Sequence, residues 1–161
     1  MICLKGYWTY IWIEIQKLTM KTKTAFVPML AIDHGVTDID FYKNAFGANE
    51  LWRVCNDDGS VHVAGISIDG ALFHLHEAMD NSGVFSPDVV KGVTATIGLM
   101  TDDVHAITER AVAAGAILAS PVQDYDYGYR QGEIIDPFGH RWIIEKIIDP
   151  DVLASGIREF K

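Results

Sequence analysis

Apolar and polar residues alternate along most of this chain, and the alternation predicts a protein built mainly of half-buried β-strands. Turn residues separate the alternating runs. Asp57-Asp58-Gly59 and Asp69-Gly70 predict hairpin turns, and the run DPFG at 136–139 predicts another, because Pro presets φ and Gly tolerates positive φ. The strands are predicted at residues 26–32, 50–56, 61–69, 71–77, 93–100, 117–123, 129–136 and 141–148.

Two helices are predicted, each after the first strand of a half of the chain. The first is predicted at residues 36–46, with Asp33 or Thr37 as its N-cap. The second is predicted to run from an N-cap at Thr101 or Asp102 to about residue 114. Gly47 and Gly115 end them, since glycine is favoured just past a helix C-terminus. The order β-α-β-β-β therefore occurs twice, which predicts an internal duplication.

The duplication defines the predicted fold class. One βαβββ module leaves a sheet face that its helix does not cover, and two modules can curve together around a cleft. We therefore predict an α+β protein whose modules, 25–77 and 93–148, form a cupped mixed sheet around a cleft. We predict that residues 78–92 are a linker between the modules and that residues 149–161 are a tail. Residues 1–19 are predicted to be an extension outside the domain, because Met20 is a second plausible start.

The composition of the chain excludes several classes of binding partner and of metal site. The 161 residues suit one domain, and a formal charge of −9 argues against nucleic acid or an anionic membrane as partner. The apolar run at 7–15 is too short to span a bilayer. Cys3 and Cys55 form no CxxC pair, so neither a disulfide scaffold nor a thiolate zinc site is expected, and a reducing, cytoplasmic location is favoured.

Three segments resemble a known superfamily. The run IDFYKNAFGA at 39–48, and YGYRQG at 127–132 followed by DPFGHRW at 136–142, are similar to signatures of the vicinal oxygen chelate group, also called the glyoxalase/bleomycin resistance/dioxygenase group. The latter two resemble its PhnB-like branch. The resemblance covers about 25–148 and implies paired βαβββ modules, a small-molecule site and often a homodimer. It implies no single reaction, because one fold hosts many chemistries.

The resemblance also implies positions for a metal site. Metal-dependent members place one ligand on the first and last strand of each module, which here gives Val27, His74, Thr96 and Ile143. Valine and isoleucine offer no lone pair, and a threonine hydroxyl is a weak ligand. The standard four-ligand site is therefore expected to be absent, and with it a glyoxalase I activity that depends on that site.

A shifted metal site is the alternative. His74 and His76 are two residues apart on one strand, so their rings share a face. By the repeat, His76 corresponds to Glu145, and two histidines with one carboxylate suit iron(II) or another divalent ion. The competing interpretation is that both histidines line a metal-free pocket and that Glu145 lies at a hydrated strand end.

Strand alternation predicts which residues face the cleft. Leu72, His74 and His76 are expected to face it, together with Ile143 and Glu145, and the residues between them are expected to be buried. Candidate ligand-binding residues are Met29, Thr96, Tyr127, Tyr129 and Arg130. Arg130 can clamp an anionic group, or it pairs with Asp126 or Glu133 instead. His140 is expected to have a structural role in its turn.

Three functions remain open from the sequence. The first is a module that binds a small organic molecule without a cofactor. The second is an enzyme, a lyase, isomerase or dioxygenase, that uses a divalent metal at His74, His76 and Glu145. The third is metal-free acid–base catalysis by His74 or His76 as the catalytic residue.

Overall fold

The computed structural model describes residues 24–79 and 81–152. The predicted extension at 1–19 and the end of the predicted tail lie outside the described residues. The strands are β1 (Met29–Ile32), β2 (Asn49–Cys55), β3 (Val61–Ile68), β4 (Ala71–Glu77), β5 (Thr96–Met100), β6 (Ile117–Asp124), β7 (Tyr129–Ile135) and β8 (Arg141–Ile147). The helices are α1 (Phe41–Phe46), α2 (Pro87–Val90) and α3 (Val104–Ala113).

The strands form two four-stranded mixed sheets with the same topology. Their orders are β1-β4-β3-β2 and β5-β8-β7-β6. In each sheet the first and last strands of the module pair in parallel and the other pairs are antiparallel. The register repeats as well, since Met29 lies opposite His74 and Gly98 lies opposite Ile143. The predicted α+β class and the predicted internal duplication are confirmed.

The described chain divides into two compact units. The first contains residues up to Asp38 together with Asn49–Phe85, and the second contains Ile39–Ala48 together with the residues from Ser86 onward. Helix α1, although it comes from the first half of the sequence, therefore belongs to the unit of the second sheet. Its Phe46 ring lies 4.9 Å from the indole of Trp142 on β8.

Helix α1 begins later than the sequence predicts. Its N-cap is Asp40, which makes no side-chain capping bond, so the predicted start near residue 36 with Asp33 or Thr37 as cap is wrong. The backbone carbonyls before the helix bond to other segments of the chain. The Val36 carbonyl accepts the Val61 N–H at 2.7 Å. The Thr37 carbonyl accepts a bond from the Arg53 guanidinium. The predicted end is confirmed, since Gly47 adopts φ +68°.

Helix α3 is capped one residue later than predicted. Asp103 accepts the Ala106 N–H at 3.0 Å and is the N-cap, so Thr101 and Asp102 are not. Asp102 is held by Lys146, whose Nζ lies 3.3 Å from its carboxylate. Gly115, just beyond the helix, has φ +110° as expected. The predicted linker at 78–92 contains the short helix α2.

The core of the second unit lies between the sheet and α3. Ile134, Trp142 and Ile144 are buried on the sheet side. On the helix, the buried residues are Val104, Thr108 and Ala111. The hydroxyl of Thr108 is buried and has no hydrogen-bond partner among the described residues.

We expect the substitution Thr108→Val to raise the free energy of unfolding by about 1 kcal/mol, because a buried hydroxyl without a partner opposes folding. Valine keeps the branched shape and removes the hydroxyl. Urea unfolding measures the difference in the free energy of unfolding. The control is Thr108→Ser, which keeps the hydroxyl and loses the methyl group and should be less stable than the wild type. A valine variant less stable than the wild type would contradict the prediction.

Candidate functional site

Each sheet has one buried face and one partly exposed face. On β4, Phe73 and Leu75 are buried, while Leu72, His74 and His76 are partly or fully exposed. On β8, Trp142 and Ile144 are buried, while Ile143 and Glu145 are partly exposed. The predicted alternation is confirmed on both strands. We call the partly exposed sides, marked by His74 and His76 on β4 and by Glu145 on β8, the open faces.

An indole ring lies beside His74 on the first open face. The Trp52 ring is 5.2 Å from the His74 ring, edge to face. Gly65 makes room for it, since a Cβ at this position would clash with the Trp52 ring. Met29, opposite His74 in the register, is 58% exposed. The surroundings of His74 are therefore aromatic and apolar, which suits contact with an organic ligand.

His76 lies in a cluster of polar groups at the end of β4. Its ring is 4.8 Å from the ring of His62, and its Nδ1 donates to the Glu77 carbonyl at 2.7 Å. The Glu77 carboxylate, almost fully buried, accepts from His62 Nδ1 at 2.5 Å and from His34 Nδ1 at 2.7 Å. Asn56 Nδ2 donates to it at 2.9 Å. His74 and His76 thus share a face, as predicted, but have different ring partners.

The Glu77 carboxylate is stabilised in its charged form. Burial alone would raise its pKa, but hydrogen bonds from His62, His34 and Asn56 outweigh burial, and the pKa of Glu77 lies below its ordinary value. An ionised carboxylate only accepts hydrogen bonds, so the Nδ1 atom of His62 carries the proton. The same holds for His76, whose Nδ1 meets a carbonyl oxygen.

A chain of hydrogen bonds fixes Glu145 on the second open face. Gln131 Nε2 donates to Glu145 Oε2 at 2.6 Å, and the Tyr127 hydroxyl donates to Gln131 Oε1 at 2.6 Å. The other carboxylate oxygen lies above Gly98, where an added Cβ would be 2.9 Å from it. Glu145 therefore is not a loosely solvated strand end but an acceptor held in one orientation.

Tyrosines form a stack next to this chain. The Tyr125 and Tyr127 rings are stacked with centroids 4.9 Å apart, and Tyr129 follows at 6.1 Å from Tyr127. The pKa of Tyr127 is raised, first by partial desolvation and then by Tyr125, Asp126 and Glu145. Thr96, at the start of β5, is exposed.

Arg130 has a partner that the sequence did not predict. Its Nε and Nη2 atoms donate to the two oxygens of Asp124 at 2.6 and 2.9 Å, instead of pairing with Asp126 or Glu133. The hydrogen bond lowers the pKa of Asp124 and raises that of Arg130. Asp124 therefore occupies one edge of this guanidinium and partly offsets its charge. Glu133 instead pairs with Arg141.

The DPFGHRW segment contains a buried carboxylate that sequence reasoning treated only as a turn residue. Asp136 accepts bonds from the Tyr42 hydroxyl at 2.8 Å, from Trp142 Nε1 at 3.0 Å and from His140 Nδ1 at 3.2 Å. The N–H groups of Phe138 and His140 donate to its other oxygen. The placement agrees with the predicted structural role of His140.

The metal-ligand prediction concerns residues of both units. His74 and His76 lie on β4 of the first unit and Glu145 on β8 of the second. Val27 precedes β1, and Thr96 and Ile143 lie on β5 and β8, with side chains that offer at most one weak ligand. Across residues 24–79 and 81–152, no three His, Cys, Asp or Glu side chains are placed to hold a metal ion. The three-residue site stays a prediction.

Cysteine chemistry differs from the sequence expectation. Cys55, at the end of β2, is disulfide-bonded, a bond that the sequence did not predict. Cys3 lies outside the described residues. Cys55 therefore provides no thiolate for catalysis or for a metal. None of the helices in the described part of the chain is long and apolar enough to cross a membrane.

Comparison with known proteins assigns the fold to a family. Residues 96–145 match the family described as glyoxalase At5g48480-like C-terminal domain. The chain is 35% identical over 128 residues to uncharacterized protein Mb0911c of Mycobacterium bovis, covering 78% of this chain and 84% of that one. It is 32% identical over 130 residues to uncharacterized protein At5g48480 of Arabidopsis thaliana, covering 74% and 77%.

Solved structures agree with this assignment. The X-ray structure of the At5g48480 gene product is 29% identical, with a TM-score of 0.59 over 76% of this chain and 98% of that chain. TioX from Micromonospora sp. ML1 is 26% identical, with a TM-score of 0.55 over 76% and 95%. The fosfomycin resistance protein FosX of Listeria monocytogenes, 17% identical with a TM-score of 0.59 over 82% and 99%, shares the fold. The chain belongs to the glyoxalase/bleomycin resistance/dioxygenase superfamily.

Proposed function

We propose that the protein binds a small organic molecule on its open faces and lacks the standard four-ligand metal site of its superfamily. The observation that carries the proposal is the set of side chains at the expected ligand positions. Val27 and Ile143 cannot bind a metal, and Thr96 is a weak ligand, so His74 alone remains. An apolar surface with few fixed polar groups is typical of small-molecule sites.

The fixed polar group of the proposed site is Glu145. Gln131 and Tyr127 hold its carboxylate in place, so little side-chain freedom is lost when a ligand donates a hydrogen bond to it. Tyr127 and Tyr129 offer aromatic faces for a planar ligand. Met29 and Thr96 are exposed at the starts of β1 and β5 and complete the proposed contacts.

Arg130 is the proposed contact for an anionic ligand group. Asp124 occupies the Nε and Nη2 donors of its guanidinium, so a ligand carboxylate would be bound from the Nη1 side, beside a carboxylate that partly offsets the positive charge. A donor-bearing or cationic ligand is attracted instead by the Glu145 carboxylate. We further propose a homodimer, as the resemblance to the superfamily implies, and a cytoplasmic location, which the low cysteine content favours. We propose no nucleic acid or membrane as partner, which the formal charge of −9 supports.

The alternative function is a divalent-metal-dependent lyase, isomerase or dioxygenase that uses His74, His76 and Glu145. It is favoured by the state of His76, whose Nδ1 donates to a backbone carbonyl and whose Nε2 is thereby left as the ligating atom. A bound divalent ion would polarise vicinal oxygens of a substrate. In a metal-free variant of this alternative, His74 or His76 transfers a proton as the catalytic residue.

Ligand binding tests the proposal. We expect a thermal-shift screen of tag-free protein against small organic molecules, in the presence of a chelator, to find compounds that raise the melting temperature. Calorimetry should then show at least about tenfold weaker binding to Glu145→Gln, about 1.4 kcal/mol. Gly98→Ala should have a similar effect, since its methyl group displaces the carboxylate.

The matched control is Glu109→Gln, an exposed carboxylate on α3, which should bind the ligand as the wild type does. Equal affinity of the Glu145→Gln and wild-type proteins would contradict the proposed site. Binding that requires a divalent ion would favour the alternative function.

A further inference from the structure

We propose that His62 and His76 bind a divalent transition-metal ion through their Nε2 atoms, at a site that uses none of the standard ligand positions and that shares only His76 with the predicted site of His74, His76 and Glu145. His62 lies on β3 and His76 on β4 of the same sheet. Their ring centroids are 4.8 Å apart, with the ring planes at 62°.

The hydrogen bonds of both rings leave the right atoms available. His62 Nδ1 donates to the Glu77 carboxylate and His76 Nδ1 donates to the Glu77 carbonyl oxygen. Because both rings use Nδ1 for these bonds, Nε2 is the nitrogen of each ring that is left for a metal ion. In the described residues, neither Nε2 atom has a hydrogen-bond partner. Histidines that ligate a metal have this arrangement, with the other ring nitrogen bound to a carboxylate or carbonyl.

The separation of the rings fits a shared ion. A metal–nitrogen bond is about 2.0–2.1 Å long, so two imidazoles on one ion place their ring centres about 5 Å apart. His62 is 22% exposed in its side chain and His76 is half-buried, so an ion can reach them from solvent. No third His, Cys, Asp or Glu of the described chain completes the site, and water or a ligand would fill the remaining positions.

The chemistry of the two ligands indicates the class of ion. Imidazole suits Zn²⁺, Cu²⁺ and Ni²⁺, whereas Mg²⁺ and Ca²⁺ prefer oxygen ligands. Glu77 acts as a positioning residue that orients His62. Because three side-chain donors already occupy the Glu77 carboxylate oxygens, Glu77 remains in the outer sphere and does not bind the ion itself.

Isothermal titration of tag-free protein with Ni²⁺ tests the site. We expect one ion to bind per chain, and His62→Asn and His76→Asn each to weaken binding at least about tenfold, about 1.4 kcal/mol. Glu77→Gln should weaken it by about 10–100-fold, the usual effect of losing an outer-sphere partner. The control His105→Asn changes an exposed histidine on α3 and should leave the affinity for Ni²⁺ unchanged. A titration with Mg²⁺ in place of Ni²⁺ should show no binding.

Two further variants separate this site from the alternative function. His74→Asn and Glu145→Gln should retain Ni²⁺ binding. If they weaken it while His62→Asn does not, the ion belongs to the other site and the present proposal is overturned. Where a histidine variant does not fold, NMR of the wild type decides. Paramagnetic Ni²⁺ should broaden the His62 and His76 ring signals first, and unaffected rings would also overturn the proposal.

Discussion

Replacing Asp136 with alanine is expected to lower the free energy of unfolding by at least about 3 kcal/mol, because each buried donor left without a partner costs about 1–3 kcal/mol. The Asp136 side chain is fully buried and accepts bonds from three side chains and two backbone N–H groups. Urea unfolding followed by circular dichroism measures the loss. A change below about 1 kcal/mol, the size of an ordinary substitution, would contradict this account of the DPFGHRW segment.

Two controls make the Asp136 prediction specific. Asp136→Asn should recover only part of the loss, since donors face both carboxylate oxygens and an amide must turn its NH₂ group towards one set of them. Tyr42→Phe removes one donor and should cost only about 1 kcal/mol. The buried Tyr42 hydroxyl stays neutral, because burial and then the neighbouring Asp136 raise its pKa well above the ordinary value.

Replacing Glu77 with alanine is the second large effect, and we expect a loss of about 2 kcal/mol at pH 7, since hydrogen bonds to a charged group contribute about 1.5–3 kcal/mol. The loss is smaller than for Asp136 because His34 is largely exposed and can be solvated when the carboxylate is absent. Urea unfolding at pH 7 measures it. Glu133→Ala, which removes a less buried ion pair with Arg141, should cost less.

The Glu77 contribution also depends on pH. The pKa of Glu77 is lower in the folded protein than in the unfolded chain, so its stabilisation is complete above the unfolded value of about 4.3. It is lost as the pH falls through the folded pKa. The stability difference between wild type and Glu77→Gln should therefore shrink as the pH falls below about 4.3. A difference that grows below that pH would contradict this cause.

The strand framework could be predicted because its signals are local. Alternation placed His74, His76 and Glu145 on the partly exposed faces, and glycines such as Gly47 marked the helix end. The late start of α1 was missed because it depends on long-range bonds, from the Val61 N–H and from Arg53, to the backbone at 36–37. Such bonds leave no mark in the local pattern.

The contrast between local and long-range signals also explains which residues of the candidate site could be predicted from the sequence. The sequence predicted His76 as a site residue, whereas no motif singled out His62 or Glu77. Their pairing depends on the cross-strand register and on donors from three other segments, which no short motif encodes. Arg130 was identified, but its partner Asp124 comes from the register of β6 with β7.

The most direct test of the proposed function is an NMR titration of ¹⁵N-labelled protein with a ligand found in the thermal-shift screen, performed in the presence of a chelator. We expect the largest amide shifts on β8 around Glu145 and on β7 around Gln131, and a titration that is unchanged when the chelator is omitted. Shifts confined to the outer surface of α3, around Glu109, or binding that disappears with the chelator, would contradict it.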